Sequence, residues 1–505
     1  MVPNASSLHT AASDAYRPGG WTVRYAVMLT AIVLIAELGY FTAQYPINAT
    51  PQIGAHYHTS QLAWVSTIYF LGAALVSPIV GTLADRYGKK RLLLVVILLA
   101  IVGATIASTA PTYGILLLGR AIQAPVLTLP FMLPSLARDI FPTRIIPMAA
   151  SMAVTGAGLL GLPAQLLAGP LIDHFGFRVV FWFPGLIAVL ALILLLVFVP
   201  ESGVRQRTGS IDYVGAALLG AGVTGILVGV SFGPTWGWTS GRVLASIIVG
   251  AAVLVVWVLH TTHTKFPLIN FAELLNTPLM SAIFLGAIGL SMASWMLVVL
   301  PSIALNPTSM GGLGLDPVHQ TRLAAIASLA AGVSGWIAGY VLQKRSPGTA
   351  AIGFMATLLL GYVIAHLGLT SVPVFIVGIA LVSLGGSAAT VVAYNQVIRC
   401  IHNERQAVVA ATFSMSFNIA NAIFTVALFA VMNSLGTMNY TTGVVDYGHR
   451  AFSAATLIPI VVTAIGMIGA VVLRMTAADR KAVRLLRNSK SEVPAPEEID
   501  VAMEG

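Results

Sequence analysis

Long apolar stretches alternate with short polar links along almost the whole chain. A helix that crosses a bilayer needs about 20 apolar residues, and fourteen stretches approach or exceed that length. In chain order, numbered here as spans 1 to 14, they are residues 25–47, 62–83, 92–110, 113–137, 146–172, 179–199, 213–232, 243–259, 279–303, 323–342, 350–369, 372–397, 408–432 and 451–473. The pattern predicts an all-α membrane protein with fourteen transmembrane helices.

The composition agrees with this pattern. Of the 505 residues, 57% are hydrophobic and 9% are charged, whereas soluble domains carry about 25% charged residues. The residues before Tyr25 are polar and small, without a short apolar core followed by a cleavage site. We therefore expect no removable signal peptide, and the first apolar stretch should stay in the mature protein.

Cysteine content and charge exclude several other classes. The single cysteine, Cys400, rules out an internal disulfide framework and a cysteine-cluster metal site, and we expect neither a metal nor a bound cofactor. The net charge is +9, but the basic residues lie scattered between the apolar stretches. Charge placed in this way indicates membrane topology rather than a nucleic-acid partner.

The positions of lysine and arginine predict that both chain ends lie in the cytoplasm. With that orientation, 21 of the 26 basic residues fall on the cytoplasmic side and Arg120 lies within a span. The opposite side holds four, Arg178, Arg242, Arg322 and Arg450. One missed or extra helix would reverse the bias partway along the chain, so an even number of spans is indicated.

The link between spans 2 and 3 carries the motif "GTLADRYGKKR". We expect Gly81 and Gly88 to give the link a flexible backbone. Asp85 is a candidate for capping or pairing at the helix end, and the basic residues should hold that end in the cytoplasm. An ordinary basic loop is the alternative. The candidate conformational residues are Gly81, Asp85, Arg86, Gly88, Lys89 and Lys90.

This motif resembles the loop 2–3 signature of the major facilitator superfamily. Further stretches resemble the 14-helix drug/proton antiporter family within that superfamily. The second span of that family is similar to "QLAWVSTIYFLGAALVSPIVGTLADRYGKKR", which contains Trp64 and Tyr69. Its fourth span is similar to "LLGRAIQAP", which contains Arg120 and Gln123. "GSIDYVGAALLG" and "GWTSGR" resemble its two inserted helices, and "FPLINFAELLNTP" its return to the second half.

The resemblance implies two six-helix bundles with a two-helix hairpin inserted between them. The expected parts are a cytoplasmic tail (1–24), a first bundle (25–200), the hairpin with its linkers (201–277), a second bundle (278–474) and a cytoplasmic tail (475–505). It also implies a transporter rather than an enzyme. The spacing of Gly81 and Gly88 does not fit a phosphate-binding loop, and Lys89 is followed by Lys90 rather than Ser or Thr. Active transport should therefore draw on an ion gradient.

Two ionisable residues stand out within the spans, because a charge at the centre of a membrane helix costs at least about 2.5–3.5 kcal/mol. Glu37 lies about 13 residues into span 1, hence about 20 Å along the helix, and Arg120 lies in span 4. In the implied fold both spans line the central cavity. We predict that Glu37 carries a proton and that a nearby Arg120 tunes it. The alternative is a hydrogen-bonded Glu37, or a static Glu37–Arg120 pair that orients helices.

Polar residues recur at helical spacing in both halves. Glu37, Phe41, Gln44 and Asn48 share one face of span 1, as do Ser414, Asn418, Asn421 and Thr425 in span 13. We expect the first face to line a cavity; for the second, hydrogen bonds between helices are an equal alternative. The candidate cavity residues are Phe41, Gln44, Asn48, Trp64, Tyr69, Gln123, Asn395, Gln396, Asn418 and Asn421.

The chain departs from the family pattern at two places. In "GLPAQLLAGPLIDHFGFR", Ala164 and Gln165 occupy the positions of the Gly-Pro pair typical of antiporters. Ala168 and Gly169 occupy those of the double glycine. In span 1, the position of the usual aspartate, nine residues before Pro51, holds Thr42. If the protein couples to protons, the carboxyl group has moved.

The sequence therefore predicts a plasma-membrane transporter that exports hydrophobic or amphipathic small molecules, such as drugs, in exchange for protons. Its partners should be the substrate, protons and the bilayer, without nucleic acid, and we expect a monomer. A proton symporter or facilitator for a specific metabolite is one alternative. A transporter-like receptor or scaffold is another.

Overall fold

The computed structural model describes residues 22–141, 157–201, 212–264, 277–399, 406–439 and 444–475. In this part of the chain, twelve helices have the length and apolar composition to cross a membrane, and a shorter apolar helix covers Tyr113–Thr128. With span 5, which is helical over Ala157–Phe175, every predicted span coincides with helix in the described ranges. The fourteen-helix prediction is confirmed.

The helical bounds follow the predicted spans closely. In chain order the helices of spans 1 to 14 are Val23–Asn48, Ala63–Tyr87, Lys89–Thr109, the three pieces Tyr113–Gln123, Ala124–Thr128 and Leu129–Ile140, then Ala157–Phe175, Val179–Phe198, Tyr213–Trp236, Gly241–His263, Thr277–Leu305, Pro317–Lys344, Pro347–Leu367, Val372–Arg399, Gln406–Leu435 and His449–Met475. A short helix, Thr50–Tyr57, follows span 1. We call the two ends of the bundle the Val23 side and the Asn48 side, after the ends of span 1.

Side-chain caps and prolines explain where several helices begin or change. Thr112 accepts a hydrogen bond from Ile115 N before span 4, and Ser240 accepts one from Val243 N before span 8. Such caps satisfy backbone N–H groups that the helix leaves unpaired. Within span 4, the middle piece is a 3-10 helix that contains Pro125. Proline lacks the N–H that continues the α-helical hydrogen bonds, so span 4 changes its winding there.

The two halves of the chain meet along two pairs of helices. Span 2 packs against span 13, and span 5 packs against span 10. At the second contact the helices approach very closely: a Cβ at Gly169 would lie 2.8 Å from Val318 Cα. Gly169 is the position at which the family's double glycine is retained, and the absence of a side chain is what permits this approach.

Spans 7 and 8 form a hairpin that packs mainly on itself and then on spans 13 and 2. Ser231 joins it to span 2 near the Asn48 side. The Ser231 hydroxyl donates to Gln61 Oε1 (2.6 Å) and accepts from Trp64 Nε1 (3.0 Å). The hairpin is thus fixed against the outside of one helix pair that joins the two halves.

A small β-structure was not predicted. Strands β1 (Thr437–Asn439) and β2 (Val444–Asp446) pair antiparallel between spans 13 and 14. Next to them, Asn433 Nδ2 donates to the Ser60 carbonyl at 3.1 Å and links the second half to the loop after span 1. Cys400 and most of both predicted tails lie outside the described residues.

Candidate functional site

Glu37 is completely buried in the middle of span 1. Neither of its carboxyl oxygens has a hydrogen-bond partner among the described residues. Span 1 is tightly packed at this level, since a Cβ at Gly39 would lie 3.3 Å from the Val126 carbonyl oxygen of span 4. The alternative of a hydrogen-bonded structural Glu37 therefore finds no partner in the described part of the chain.

Arg120 is also completely buried, and it lies at the meeting point of spans 1, 2 and 4. Its Nε donates to the Val65 carbonyl (3.0 Å), and its Nη1 donates to the Thr42 carbonyl (2.8 Å) and to Gln123 Oε1 (2.8 Å). The guanidinium carbon lies 4.2 Å from the centre of the Tyr69 ring. Three backbone or amide oxygens and one aromatic face thus surround a single positive charge.

Glu37 and Arg120 form no hydrogen bond in the described part of the chain, so a static Glu37–Arg120 pair finds no support there, and the tuning of Glu37 by Arg120 stays a prediction. Arg120 binds span 1 at Thr42, which is five residues beyond Glu37 and about 140° around the helix. The Thr42 hydroxyl donates to the Leu38 carbonyl of its own helix (2.7 Å). Arg120 therefore bonds to main chain at the position of the aspartate that the resemblance implies, and its Nη2 has no partner among the described residues.

The polar face of span 1 continues from Glu37 to the Asn48 side. Asn48 Nδ2 donates to Gln165 Oε1 of span 5 at 2.8 Å, and Asn48 Oδ1 accepts from Gln320 Nε2 of span 10 at 3.3 Å. Closer to Glu37, the Tyr40 hydroxyl lies 2.5 Å from Ser328 Oγ of span 10. The Asn48–Gln320 and Tyr40–Ser328 contacts cross between the halves of the chain, whereas the Asn48–Gln165 bond lies within the first half.

Sequence reasoning named Asn48 but missed its partner Gln320 and the Tyr40–Ser328 pair. A signal for Tyr40 was present, because it lies three residues after Glu37 and shares its face. No comparable signal marks Ser328, because the local sequence of span 10 does not show that this small residue contacts Tyr40 of span 1.

Other predicted cavity residues are distributed less simply. Phe41 is buried against the rings of Tyr40 and Tyr45, Gln44 is half-buried, and Tyr69 and Gln123 belong to the Arg120 cluster. The Trp64 indole N–H is used in the contact with Ser231 of the hairpin. This contact lies on the hairpin side of span 2, and the role of Trp64 as a cavity residue stays a prediction.

In the second half, the polar residues of spans 12 and 13 are largely buried. Asn418 is fully buried and donates to Ser414 Oγ (3.3 Å), while its Oδ1 has no partner among the described residues. Asn421 and Gln396 are also buried, and Asn395 donates to the Val391 carbonyl of its own helix (2.9 Å). Their role as cavity residues stays a prediction.

The loop 2–3 motif forms a tighter connection than we predicted. Gly81 lies inside the helix of span 2, so the expectation of a flexible link there is wrong. The link is Gly88 alone, with a φ of +105°, a conformation that favours glycine. Arg86 lies over the Tyr87 ring (5.6 Å), and the Asp85 side chain lies outside the described part.

Charged partners hold this connection on the Val23 side. Lys89 Nζ donates to Asp139 Oδ2 of span 4 at 2.6 Å. The Glu201 carboxylate, which follows span 6, accepts from Lys90 N at 3.1 Å and lies 3.8 Å from Arg91 Nε. Lys90 Nζ also donates to the Leu196 carbonyl (3.3 Å). The first turn of span 3 is thereby joined to spans 4 and 6.

Comparison with known proteins places this geometry in a family. The family model described as Major Facilitator Superfamily matches residues 28–425 of this chain. The multidrug resistance protein B homolog of Mycobacterium tuberculosis (strain CDC 1551 / Oshkosh) is 30% identical over 294 residues, 57% of this chain and 52% of that protein. The chain thus spans about half the length of that relative. The uridine/deoxyuridine transporter of Lactococcus lactis subsp. cremoris (strain MG1363) is 29% identical over 344 residues, 64% of this chain and 68% of that protein.

Solved structures give the same fold. A bacterial homolog of the human lysosomal transporter Spinster, in an inward-facing and unoccupied conformation, aligns with a TM-score of 0.63 and 15% sequence identity. The alignment covers 91% of this chain and 99% of that one. With a family match that extends over residues 28–425, this chain belongs to the major facilitator superfamily.

Proposed function

We propose that the chain exports hydrophobic or amphipathic small molecules across the plasma membrane in exchange for protons. Export would proceed by alternating access, with the two halves rocking around a site near mid-membrane. Family membership supports transport rather than catalysis, since the relatives and structural neighbours are transporters and not enzymes. The similarity to a multidrug resistance protein homolog supports drugs as substrates, whereas the similarity to a uridine/deoxyuridine transporter supports a metabolite.

The observation that carries proton coupling is the buried Glu37 carboxyl group, which has no hydrogen-bond partner within the described ranges. An ionised carboxylate in such surroundings is costly, whereas a neutral carboxyl group is tolerated. Water that reached Glu37 when the two halves separate would favour release of the proton. Proton binding at Glu37 would therefore depend on conformation, and this dependence is what coupling requires.

Arg120 would serve the same cycle through position rather than through contact with Glu37. Its bonds to the Val65 and Thr42 carbonyls join spans 2 and 1, and Gln123 and Tyr69 hold the guanidinium in place. The cluster would keep the three helices together while the halves move. The substrate would bind between Phe41 and Gln44 of span 1 and the polar residues Asn395, Gln396, Asn418 and Asn421.

The basic residues support the orientation that we propose, with the Val23 side in the cytoplasm. The moving bodies would be the bundles 25–200 and 278–474, with the hairpin 201–277 between them and cytoplasmic tails at 1–24 and 475–505. We propose that one chain is sufficient for transport, because both halves of the pathway are present in it.

A proton symporter is the second candidate, and one specific observation favours it. Gln165 occupies a position of the antiporter Gly-Pro pair, and its side chain bonds to Asn48. The antiporter pattern is thus broken at a residue in contact with the polar face of span 1. A receptor or scaffold has no comparable observation in its favour.

The direction of coupling can be tested in proteoliposomes with a pH gradient and a clamped membrane potential. The probes are ethidium, tetraphenylphosphonium and uridine. An antiporter accumulates its substrate in vesicles with an acidic lumen, whereas a symporter accumulates it when the outside is acidic, whichever way the protein is inserted. We expect accumulation of a cationic probe in the acidic lumen.

Glu37→Gln is the variant that tests the proton site, and Asp316→Asn is its control because Asp316 is an exposed carboxylate before span 10. We expect Glu37→Gln to lose gradient-driven accumulation by at least about ten-fold and Asp316→Asn to keep it. Equal pH dependence in Glu37→Gln and the parent would show that Glu37 is not the proton carrier.

A further inference from the structure

We propose that Tyr40 and Asn48 close the Asn48 side of the transport path by bonding to span 10, and that both are positioning residues of the transport cycle. Together with Ser328 and Gln320, their partners on span 10, they form what we call the seam. The proposal rests on transport by alternating access, but not on proton coupling, on the direction of transport or on the substrate.

The seam has a regular geometry. Asn48 pairs with Gln320 and Tyr40 pairs with Ser328, so each helix contributes two residues that are eight positions apart. Eight residues correspond to about 12 Å along an α-helix. Span 1 ends on the Asn48 side and span 10 begins there, so the two helices run antiparallel and the equal spacing brings both pairs into register.

Asn48 is the centre of the outer contact. Its side chain is 4% exposed, and both of its amide atoms are used: the nitrogen donates to Gln165 and the oxygen accepts from Gln320. Gln165 and Gln320 are themselves 1% and 0% exposed. One asparagine thus connects span 5 of the first half with span 10 of the second, away from water.

Tyr40 makes the inner contact. The Ser328 hydroxyl donates to the Ala324 carbonyl (3.0 Å), so its oxygen is available to accept from the Tyr40 hydroxyl at 2.5 Å. Gln165 Nε2 also approaches the Tyr40 hydroxyl, at 3.5 Å. Gln165 therefore touches both span 1 residues of the seam and ties its two ends together.

These bonds are suited to a closure that opens and shuts. They are neutral hydrogen bonds, whose net worth against water is small, in contrast to a buried ion pair that is expensive to separate. When the halves part on the Asn48 side, water can replace the partners of all four side chains. Each bond would then bias the equilibrium without fixing it.

The test measures access to a half-buried residue that lies between the two pairs of the seam. Gln44 lies four residues from both Tyr40 and Asn48, halfway along the seam. We would introduce Gln44→Cys after removing the native thiol with Cys400→Ser. The rate of labelling by a membrane-impermeant maleimide is then measured from each side, in intact cells and in inverted vesicles, without substrate or gradient.

Tyr40→Phe and Asn48→Leu should each raise the labelling rate from the Asn48 side by about five-fold or more, the effect of losing the one hydrogen bond that each side chain makes to span 10. Tyr45→Phe is the matched control. It also removes a tyrosine hydroxyl from span 1, but that hydroxyl donates to the Ala164 carbonyl within the first half (2.6 Å). We expect Tyr45→Phe to leave the rate within two-fold of the parent.

Double variants make the test specific for the pairs. Asn48→Leu and Gln320→Leu remove the same bond, so their effects should be less than multiplicative, whereas those of Gln320→Leu and Ser328→Ala, which share no partner, should multiply. Tyr40→Phe removes only one oxygen and carries the test alone if Asn48→Leu does not give monodisperse protein. Parent-like rates in folded Tyr40→Phe, or an equal increase in Tyr45→Phe, would overturn the seam while leaving the vesicle transport assay unaffected.

Discussion

Arg120 Nη1 donates to the backbone carbonyl of Thr42 at 2.8 Å, where a span 1 carboxylate is typical of the family that this sequence resembles. Glu37, the carboxyl group that span 1 does contain, lies on another face of the helix and has no hydrogen-bond partner in the part of the chain that the structure describes. Arg120 of span 4 and the Glu37 carboxyl group therefore lie at two different faces of span 1.

This separation predicts that a carboxyl group at position 42 can take over the role of Glu37. In a Glu37→Gln background, Thr42→Asp would place an acidic side chain next to the buried guanidinium of Arg120, whose Nη2 has no partner among the described residues. We expect the double variant to regain at least about a tenth of the parent's gradient-driven transport, measured in proteoliposomes. Glu37→Gln/Thr42→Asn is the control and should stay inactive, because an amide cannot release a proton.

The two glycines of the loop 2–3 motif should respond in opposite ways to alanine. Gly88 has a φ of +105°, and a Cβ there would lie 2.9 Å from Glu201 Oε1, so Gly88→Ala should lower stability by about 1–3 kcal/mol. Gly81 lies in a helix with nothing within 4 Å of its Cβ position, and Gly81→Ala should be neutral or stabilise by up to about 1 kcal/mol. Unfolding in detergent measures both. Equal losses in the two variants would contradict the difference in backbone conformation.

The contact between spans 5 and 10 should not tolerate an added methyl group. A Cβ at Gly169 would lie 2.8 Å from Val318 Cα and closer still to Thr321 Oγ1. Because backbone cannot move aside cheaply, Gly169→Ala should destabilise the closed Asn48 side by about 1–3 kcal/mol. The Gln44→Cys labelling rate reports this change. Gly339→Ala, also in span 10 but with open space around it, should label at the parent rate.

The contacts of Asp316, which lies outside the membrane, predict that the stability of the protein depends on pH. Its carboxylate accepts a hydrogen bond from His319 N (2.7 Å) and contacts the His319 ring, which together hold the pKa of Asp316 below its usual value. Since the pKa is lower in the folded protein, the ionised group stabilises span 10 above about pH 4, and this contribution is lost as the pH falls through the lowered pKa.

Asp316→Asn isolates that contribution, because asparagine also caps helices but does not titrate. We expect the parent to have the higher unfolding temperature near pH 7, and the difference from Asp316→Asn to disappear in acid. A difference that stays constant between pH 7 and pH 3 would show that the charge of Asp316 does not contribute.

The helices could be predicted from the sequence because a membrane segment must satisfy its backbone hydrogen bonds internally, over a length set by the bilayer. Span 6 begins at Val179 in both the prediction and the structure. Span 2 was predicted to end at residue 83 but continues to Tyr87. The apolar pattern ends before the helix ends, because the polar residues of the motif are still helical at the bilayer surface.

The candidate site could be predicted only in part. Glu37 and Arg120 were identifiable because charge is rare in apolar helices, but their separation depends on how spans 1 and 4 rotate against each other. The Asn48–Gln320 bond joins residues 272 positions apart. Local sequence contains no information on such a pair until the register of two distant helices is known.

The one-residue link at Gly88 has a consequence for how a movement of one helix is passed to the others in the first half. It joins spans 2 and 3 through one residue, and Glu201 ties the start of span 3 to the end of span 6. Span 2 in turn packs against span 13 and the hairpin. A displacement of span 2 by the second half would therefore reach span 3 through a single residue and span 6 through Glu201.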